Sequence, residues 1–225
     1  MSVTWLGQGG LLFDFNGTIV IVDPYLSDSV EKIEPHNKRR IGVDDRFFKV
    51  KPDVIVLTHN HLDHTDPETL KHYLGTNTSV TVLASHNAWK NVRATFGGVK
   101  NNYVSFNNGT IWSEKGIVFE AVYAEHSDDY AIGVIISYGG KNYYVTGDTL
   151  YNKKVLNCLP QKIDYVFLPV NGRGNNMNMV DGKRFCESLG AVAVPIHCGL
   201  FDDIDLNAFE YENKIIPKFY KKIDI

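Results

Sequence analysis

The segment from His59 to His64 places three imidazoles and one carboxylate within six residues. It follows the apolar run 54–57, which is typical of a buried strand. Imidazole nitrogens and carboxylate oxygens bind metals, and the spacing His-x-His-x-Asp-His lets a tight loop turn its side chains toward two neighbouring points. A polar loop that merely happens to hold histidines is the alternative, but the chain has only eight histidines and three lie here. The segment therefore predicts a strand that ends in a metal site, and two ions suit it better than one.

Two metal ions need more donors than one loop supplies, so other strand ends should carry matching residues. Three further β-rich runs end in a histidine or an aspartate, namely His126, Asp148 and His197. A sheet-based site collects its residues at strand ends. We therefore expect these three side chains to join the histidine-rich loop.

This pattern resembles the metallo-β-lactamase superfamily over nearly the whole chain. The resemblance implies an α/β fold of the four-layer αβ/βα sandwich type, with two mixed β-sheets flanked by helices and the metals at one edge. It implies one metal site formed by His59, His61 and His126 and a second formed by Asp63, His64 and His197. Asp148, within Thr146-Gly147-Asp148-Thr149, matches the carboxylate that bridges the two metals.

Two groups of that superfamily fit this chain less well. Antibiotic-hydrolysing members typically have a cysteine where Asp148 stands, so β-lactamase activity is not expected. Flavodiiron proteins replace the second histidine of the loop by glutamate and carry a flavin domain. Here His61 is intact and 225 residues leave no room for such a domain, so oxygen reduction is not expected either.

Three further stretches resemble the L-ascorbate-6-phosphate lactonase branch of the superfamily. They are Val3-Thr4-Trp5-Leu6-Gly7-Gln8, then Asn171-Gly172-Arg173 with Asn178-Met179, and finally Pro195-Ile196-His197 with Phe201. The chain departs from the branch in being shorter, in having Cys198-Gly199 where tyrosine and aspartate are usual, and in matching weakly between His126 and Asp148. The resemblance implies a sugar-phosphate lactone as the substrate.

The ligand set predicts a metal-dependent hydrolase. A metal ion lowers the pKa of bound water from about 15.7 to about 7, so a hydroxide held between two ions could attack a carbonyl carbon or a phosphorus. We expect Asp148 to bridge the ions and Asp63 to orient the hydroxide proton, while strand-end capping is the alternative role for both. Zinc and manganese are the expected divalent ions, and iron suits the same ligands.

Three functions are open at this point. The first is hydrolysis of a small, anionic metabolite, and the second is a phosphodiesterase or nuclease activity of the same fold. Formal net charge is −3, which gives no electrostatic footprint for long nucleic acid. The third is a non-catalytic, metal-stabilised binding module, against which the complete ligand set argues.

Residues outside the ligand set should select the substrate. Arg173 lies in a loop rich in glycine and asparagine that also contains Asn171 and Asn175. Because guanidinium presents a rigid donor fork to carboxylate or phosphate, this loop predicts a substrate anchor. A surface turn whose arginine forms a structural ion pair is the alternative. The polar segment from Ser27 to Lys49 is interpreted as a loop that forms part of the substrate rim.

The remaining histidines and the cysteine beside His197 receive structural interpretations. We expect His36, His72 and His86 to be surface, capping or packing residues. Cys198 is expected to be a buried structural thiol.

Hydrophobic patterning predicts one domain over residues 1–225. Strands are expected at about 2–6, 10–15, 18–22, 54–57, 80–84, 103–106, 109–113, 116–123, 131–138, 142–146, 164–168 and 191–195. Those between 103 and 146 should build the second sheet. Helices are expected from Asp66 to about Tyr73, from Ser85 or His86 to before Gly97, shortly after Asp148, over about 179–189, and after Asp205 as far as Pro217.

Cellular location follows from cysteine usage and from the start of the chain. The three cysteines are unclustered, which favours a reducing cytoplasm. Residues 1–5 enter a strand without the regions of a signal peptide, and no run approaches the roughly 18 apolar residues of a membrane-spanning helix. We expect a cytoplasmic protein with a small-molecule partner and no membrane partner, and homo-oligomers are common among such enzymes.

Overall fold

The computed structural model describes residues 1–75, 78–98, 100–160 and 162–225. Over these residues the strands form two mixed sheets. Across the first sheet the strands are Lys222–Ile223 (β13), Ser2–Gly7 (β1), Gly10–Phe15 (β2), Thr18–Val22 (β3), Val54–Leu57 (β4), Thr81–Ala84 (β5) and Asn102–Ser105 (β6). Across the second they are Val192–Ile196 (β12), Tyr165–Pro169 (β11), Lys141–Val145 (β10), Ile132–Tyr138 (β9), Ile117–Tyr123 (β8) and Ile111–Glu114 (β7).

Helices flank both sheets. The α-helices of the described residues are Ser29–Ile33 (α1), Pro67–Leu70 (α2), His86–Phe96 (α3), Lys153–Asn157 (α4) and Met179–Leu189 (α5), and Asp45–Lys49 and Leu206–Ala208 are 3-10 helices. Helix α3 packs against β5 and β6 of the first sheet, and α5 packs against β11 of the second. This arrangement confirms the predicted α/β class with two mixed sheets and flanking helices.

Strand β4 shows why the first sheet is apolar on both faces. Successive side chains of a strand point to opposite faces. Val54 and Val56 join the core between the sheets, whereas Ile55 and Leu57 join a second core that includes Leu70 of α2. All four side chains of β4 are fully buried. A strand covered on both faces therefore reads as a continuous apolar run rather than as an alternating one.

Aromatic contacts join the two sheets. The ring of Phe13 in β2 lies 6.2 Å from Tyr143 of β10 and 5.6 Å from Phe167 of β11, in edge-to-face arrangements. Tyr144, the next residue of β10, points the other way toward Phe185 of α5. Alternate side chains of β10 thus pack into the core between the sheets and against helix α5.

The predicted turn and cap signals are observed. Asn16 and Gly17 join β2 to β3 with φ values of 53° and 98°, the left-handed conformation that a two-residue hairpin requires. The Asp66 side chain accepts hydrogen bonds from the backbone of Glu68 and Thr69 at the start of α2. Helix α2 ends at Leu70, however, and the chain continues to Tyr73 in turns.

The segment 27–49 was interpreted as a loop, which is wrong in part. It contains α1 and the 3-10 helix Asp45–Lys49. The Asp44 side chain caps the 3-10 helix by accepting from the backbone of Arg46. Both helices are five residues long, too short to show an apolar period in a polar sequence.

Two predictions near the sheet edges are corrected. Strand β6, expected in the second sheet, pairs in parallel with β5 and so lies at the edge of the first. The intervening α3 makes β5-α3-β6 a crossover unit, in which parallel strands are adjacent. Asp205 caps only the 3-10 helix Leu206–Ala208. Beyond it Lys214 bridges to Ala193 and β13 pairs with β1, so this part of the chain is held by pairing with strands rather than as a helix.

Cys158, Cys186 and Cys198 are free thiols. Among the described residues, every helix is too short or too polar to cross a lipid bilayer.

Substitution of Ile55 by alanine should lower the free energy of unfolding by about 2–5 kcal/mol, because it leaves a cavity between β4 and the helices. The same change at Ile111, which is 62% exposed on β7, should cost less than about 1 kcal/mol. Urea denaturation of both variants gives the comparison. Equal losses would contradict the two-faced burial of β4.

Candidate metal centre

Strand direction brings the predicted ligands to one edge of each sheet. Strands β1, β3 and β4 run in the same direction in the first sheet, as do β8, β10, β11 and β12 in the second. The loop from His59 follows β4, and His126, Asp148 and His197 follow β8, β10 and β12. A backbone hydrogen bond of 3.0 Å from Ile132 N to Thr58 O joins the two edges at this point.

The first cluster consists of three imidazoles. His61 Nδ1 lies 3.1 Å from His59 Nε2 and 3.1 Å from His126 Nε2. His59 is fully buried, and the other two rings are half-buried. The cluster is therefore open on one side, and its three nitrogens lie close enough together to hold one ion.

The second cluster adds a carboxylate to two imidazoles. His64 Nε2 lies 3.1 Å from His197 Nε2, and Asp63 Oδ2 lies 3.8 Å and 3.5 Å from these two nitrogens. His64 is fully buried and His197 is nearly so. These three side chains could also hold an ion.

Asp148 lies against the second cluster and acts electrostatically on the first. Its Oδ1 is 3.4 Å from His64 Nε2 and its Oδ2 is 3.2 Å from His197 Nε2. Attraction to Asp148 also favours the charged forms of His59 and His126. The structure thus brings together all seven residues predicted as ligands.

The ring nitrogens that point away from the clusters have polar neighbours. Outer partners fix which nitrogen of a histidine faces a metal. The pairs are His59 Nδ1 with Thr58 Oγ1 at 3.0 Å, His61 Nε2 with Ser127 Oγ at 3.3 Å, His64 Nδ1 with Asp23 Oδ2 at 2.8 Å, His126 Nδ1 with Asn175 O at 3.3 Å, and His197 Nδ1 with Asn171 Nδ2 at 3.2 Å. Each of the five imidazoles therefore has a polar partner at the ring nitrogen that points away from the clusters.

Asp23 is a residue of the centre that sequence reasoning missed. It is fully buried at the end of β3, and besides His64 it accepts from the backbone nitrogen of Thr58 at 2.8 Å and from the Thr58 hydroxyl. It therefore orients His64 and ties the start of the metal loop to β3. Its position directly after the apolar strand 18–22 was the available signal, the same signal that identified Asp148.

Gln8 is a second missed residue. It follows β1, is nearly fully buried, and donates from Nε2 to Asp63 Oδ2 at 3.0 Å. Gln8, Asp23 and His197 all have positive φ, at 45°, 44° and 68°. Such conformations cost energy in residues other than glycine and persist where the surroundings determine them, often at functional sites.

Glycines allow the close approach of the loops. A Cβ atom on Gly9 would lie 2.7 Å from His64 Cε1, and one on Gly147 would lie 2.7 Å from the backbone oxygen of Ile132. Gly147 also has a φ of +65°. Both positions therefore require glycine for His64 and Asp148 to sit where they do.

Burial and charge act in opposite directions on these side chains. Burial lowers the pKa of His59 well below its usual value, and it also lowers the pKa of His126. Burial acts against charge on His64 and His197 too, but attraction to Asp148 and Asp63 outweighs it and raises the pKa of both, that of His64 strongly.

Asp148 has the complementary behaviour. Burial disfavours its charge, but His197 and His64 hold the pKa of its carboxyl well below the usual range. Three acidic side chains, Asp23, Asp63 and Asp148, thus lie against the imidazoles of His64 and His197. The donor set, imidazole nitrogens with carboxylate oxygens at a largely buried position, fits divalent ions such as zinc, manganese or iron.

A cavity of about 420 Å³ opens beside the two clusters. His61, Asp63, Asp148 and His197 line its floor, and the loop 171–176 contributes further lining residues. From the segment 27–49, the residues that line it are Val30, Ile33, Glu34 and Asn37. The segment predicted as a substrate rim therefore does border the cavity.

The three residues predicted to bind substrate differ in position. Arg173 is exposed and lines the cavity, and among the described residues it forms no ion pair. Asn171 contacts His197, and the backbone oxygen of Asn175 contacts His126. The latter two therefore also support the imidazoles, whereas Arg173 is free for a ligand.

The histidines predicted to be structural lie outside both clusters. His36 is exposed, His72 stacks on Phe48 with ring centroids 4.1 Å apart, and His86 begins α3 and lies 4.6 Å from the Tyr130 ring. Cys198 is buried, and burial raises the pKa of its thiol to about 12. These positions agree with the structural interpretations.

Solved structures share this fold. A metallo hydrolase from the hyperthermophilic archaeon Ignicoccus hospitalis is 22% identical, with a TM-score of 0.71 over 93% of this chain and 88% of that one. The isothiocyanate hydrolase from Delia radicum gut bacteria is 16% identical, with a TM-score of 0.72 over 100% of this chain and 99% of that one. At these identities the likeness concerns the fold alone, and it agrees with the predicted α/β fold of two mixed sheets.

Sequence comparison gives the family. A UPF0173 metal-dependent hydrolase of Saccharolobus solfataricus is 27% identical over 227 residues, which cover 99% of this chain and 95% of that protein. Curated relatives are named as metal-dependent hydrolases, which confirms the prediction of an enzyme. The family model of the beta-lactamase superfamily domain matches residues 18–200, more than half of the 225-residue chain. This chain therefore belongs to the family described as the beta-lactamase superfamily domain.

Proposed function

We propose that this protein is a hydrolase that uses two divalent metal ions to cleave an ester or lactone bond in a small anionic metabolite. The observation that carries the proposal is the convergence of seven candidate ligand side chains from the ends of four strands, and four of these side chains, His61, Asp63, Asp148 and His197, line one cavity. A structural metal site would have its ligands closed off by protein, whereas this one faces open space.

The two clusters would hold one ion each. His59, His61 and His126 would bind the first, and Asp63, His64 and His197 the second, with Asp148 shared between them. When bound, divalent ions lower the pKa of a coordinated water and polarise the bond under attack. Asp23 and Thr58 would keep the imidazoles of His64 and His59 in orientation behind the ligands.

Hydrolysis of an ester or a lactone consumes one water molecule. The oxygen of one water forms a bond to the carbonyl carbon, the bond from that carbon to the leaving oxygen breaks, and one proton passes to the leaving oxygen. The products are a carboxylic acid and a hydroxyl group. Asp63 lines the cavity and its Oδ2 is held by Gln8, so it is placed to accept a hydrogen bond from the attacking water.

Arg173 would bind the negative charge of the substrate. Arg173 lines the cavity and forms no ion pair among the described residues, which supports a role in binding the substrate rather than in a structural ion pair. A sugar-phosphate lactone, implied by the resemblance to the ascorbate-phosphate lactonase branch, is the first substrate to assay.

Substitution of Asp148 by asparagine should lower kcat by about 100-fold or more and reduce the bound metal below two ions per chain. The change keeps the side-chain volume but removes the negative charge that both clusters face. Metal content is measured by mass spectrometry after loading with zinc, manganese or iron. Hydrolysis is measured on a sugar-phosphate lactone, an aliphatic lactone and a phosphodiester.

Asp224→Asn is the matched control, since Asp224 is exposed near the end of the chain and should leave both readouts unchanged. Two bound ions with hydrolysis of none of the three substrates would contradict the proposal and favour a binding module. Hydrolysis of the phosphodiester alone would instead favour a phosphodiesterase.

Metal affinity should rise with pH between about pH 6 and about pH 8. In the metal-free protein the raised pKa values keep protons on His64 and His197, and an ion must displace them. Below those pKa values the competition is strongest, so the apparent Kd should fall by up to about tenfold per pH unit for each proton displaced. Titration calorimetry in two buffers of different ionisation enthalpy measures the proton release; a pH-independent Kd without release would contradict this charge state.

A further inference from the structure

We propose that the natural substrate is an amphiphilic monocarboxylate, with its carboxylate bound by Arg173 and an acyl or alkyl segment bound against an apolar wall. This inference rests on the proposed function, since it concerns the same cavity. It narrows the anionic substrate to a class that differs from a phosphorylated sugar.

Four side chains form the apolar wall, which we define as Val30, Ile33, Leu62 and Phe201. Val30 and Ile33 lie three residues apart on α1, so their side chains share one face of the helix. Ile33 is 72% exposed. One exposed isoleucine is ordinary, but an exposed isoleucine that borders a cavity beside three other apolar side chains offers a surface for an apolar ligand.

The apolar wall is continuous with a buried cluster beneath it. Tyr25, Val30 and Leu200 form that cluster, and Leu62 and Phe201 pack against it. The rings of Phe201 and Tyr25 meet edge to face with centroids 5.7 Å apart. The wall is therefore the accessible side of a packed core.

Hydrogen bonds hold this wall in place. Arg39 is largely buried and donates to the backbone oxygen of Tyr25 at 3.1 Å and to the hydroxyl of Tyr220 at 2.8 Å. The backbone nitrogen of Arg40 donates to the oxygen of Leu200 at 2.9 Å. The segment that carries α1 is thus tied to two other parts of the chain, so an apolar group could bind without ordering it first.

The charges around the cavity favour a single negative group. Arg173 is the one lysine or arginine among the described residues that line it. Glu34 and Asp202 also line it, and neither faces Arg173 as an ion-pair partner: Glu34 accepts from Asn37 at 2.6 Å, and Asp202 accepts from the backbone of Gly199 and Ile204. A second anionic group on a ligand, or a doubly charged phosphate, would add negative charge to a cavity that Glu34, Asp63, Asp148 and Asp202 already line. One carboxylate matches one guanidinium.

Binding of non-hydrolysable carboxylates tests the inference directly. Titration calorimetry on the metal-loaded protein compares acetate, butyrate, hexanoate and octanoate, together with adipate and 1-hexanol. Each added methylene should tighten binding by about two- to fourfold until the wall is covered. Hexanoate should bind at least about tenfold more tightly than adipate, which has the same number of carbons but a second carboxylate.

Two variants separate the parts of the site. Arg173→Ala should weaken hexanoate by about tenfold or more and leave 1-hexanol unchanged. Ile33→Ser should flatten the dependence on chain length while acetate binds as before. Arg93→Ala and Ile111→Ser are the matched controls, since both residues are exposed and lie outside the cavity, and both should behave as the unaltered protein.

A flat dependence on chain length, adipate binding as tightly as hexanoate, no binding of any carboxylate, or an unchanged affinity in Arg173→Ala would each overturn the inference. Turnover is not needed for this readout. Tightening with chain length in a protein that hydrolyses nothing would contradict the proposed hydrolase and leave the ligand class standing. Hydrolysis of lactones without tighter binding of longer carboxylates would support the proposed hydrolase and overturn the inferred ligand class.

Discussion

Buried imidazoles and carboxylates at the seam of two sheets can exist only if they compensate one another, and this constraint governs the centre. His59, His64 and Asp23 are fully buried, and Asp148 is nearly so. An isolated buried charge is expensive, so each carboxylate lies against an imidazole or a donor. Asp23 shows the principle most clearly, since its two oxygens receive His64, the Thr58 hydroxyl and the Thr58 backbone. The candidate metal ligands are therefore already held in position in the absence of an ion.

The fold supplies the rigidity that this charge arrangement needs. Loops are mobile by default, but here they leave strands that are buried on both faces, such as β4. Strand direction places their carboxyl ends at the same edge, and the hydrogen bond from Ile132 to Thr58 joins the sheets there. Positive φ values at Gln8, Asp23 and His197 indicate backbone held against its preference. The apolar packing therefore stabilises a site that is unfavourable on its own.

Under the proposed function, the cavity would divide into a reactive floor and a wall that selects the substrate. The floor is made of residues that follow strands, whereas Arg173 and α1 belong to segments that connect them. Connecting segments tolerate change more readily than strands, so the same floor can serve different substrates. Under the proposed function, Arg173 and the apolar wall would therefore select the substrate.

Sequence patterns predicted the two-sheet fold and all seven donors that converge, because apolar strands and strand-end ligands are local signals. Asp23 was missed because a single aspartate after a strand looks like a capping residue; only the approach of β3 to β4 reveals its contact with His64. The prediction of a helix after Asp205 was wrong, because Lys214 pairs with Ala193 and β13 pairs with β1. These long-range pairings override the local helix propensity. The assignment of β6 to the second sheet was wrong, because its parallel pairing with β5 depends on the crossover through α3.

The central claim is that one chain holds two ions, one in each cluster, with Asp148 between them. Anomalous diffraction from crystals of the metal-loaded protein, recorded at the absorption edge of the bound metal, tests it most directly. The account predicts two anomalous peaks per chain, one among His59, His61 and His126 and one among Asp63, His64 and His197, with the carboxylate of Asp148 in contact with both. A single peak, or peaks elsewhere in the chain, would contradict it.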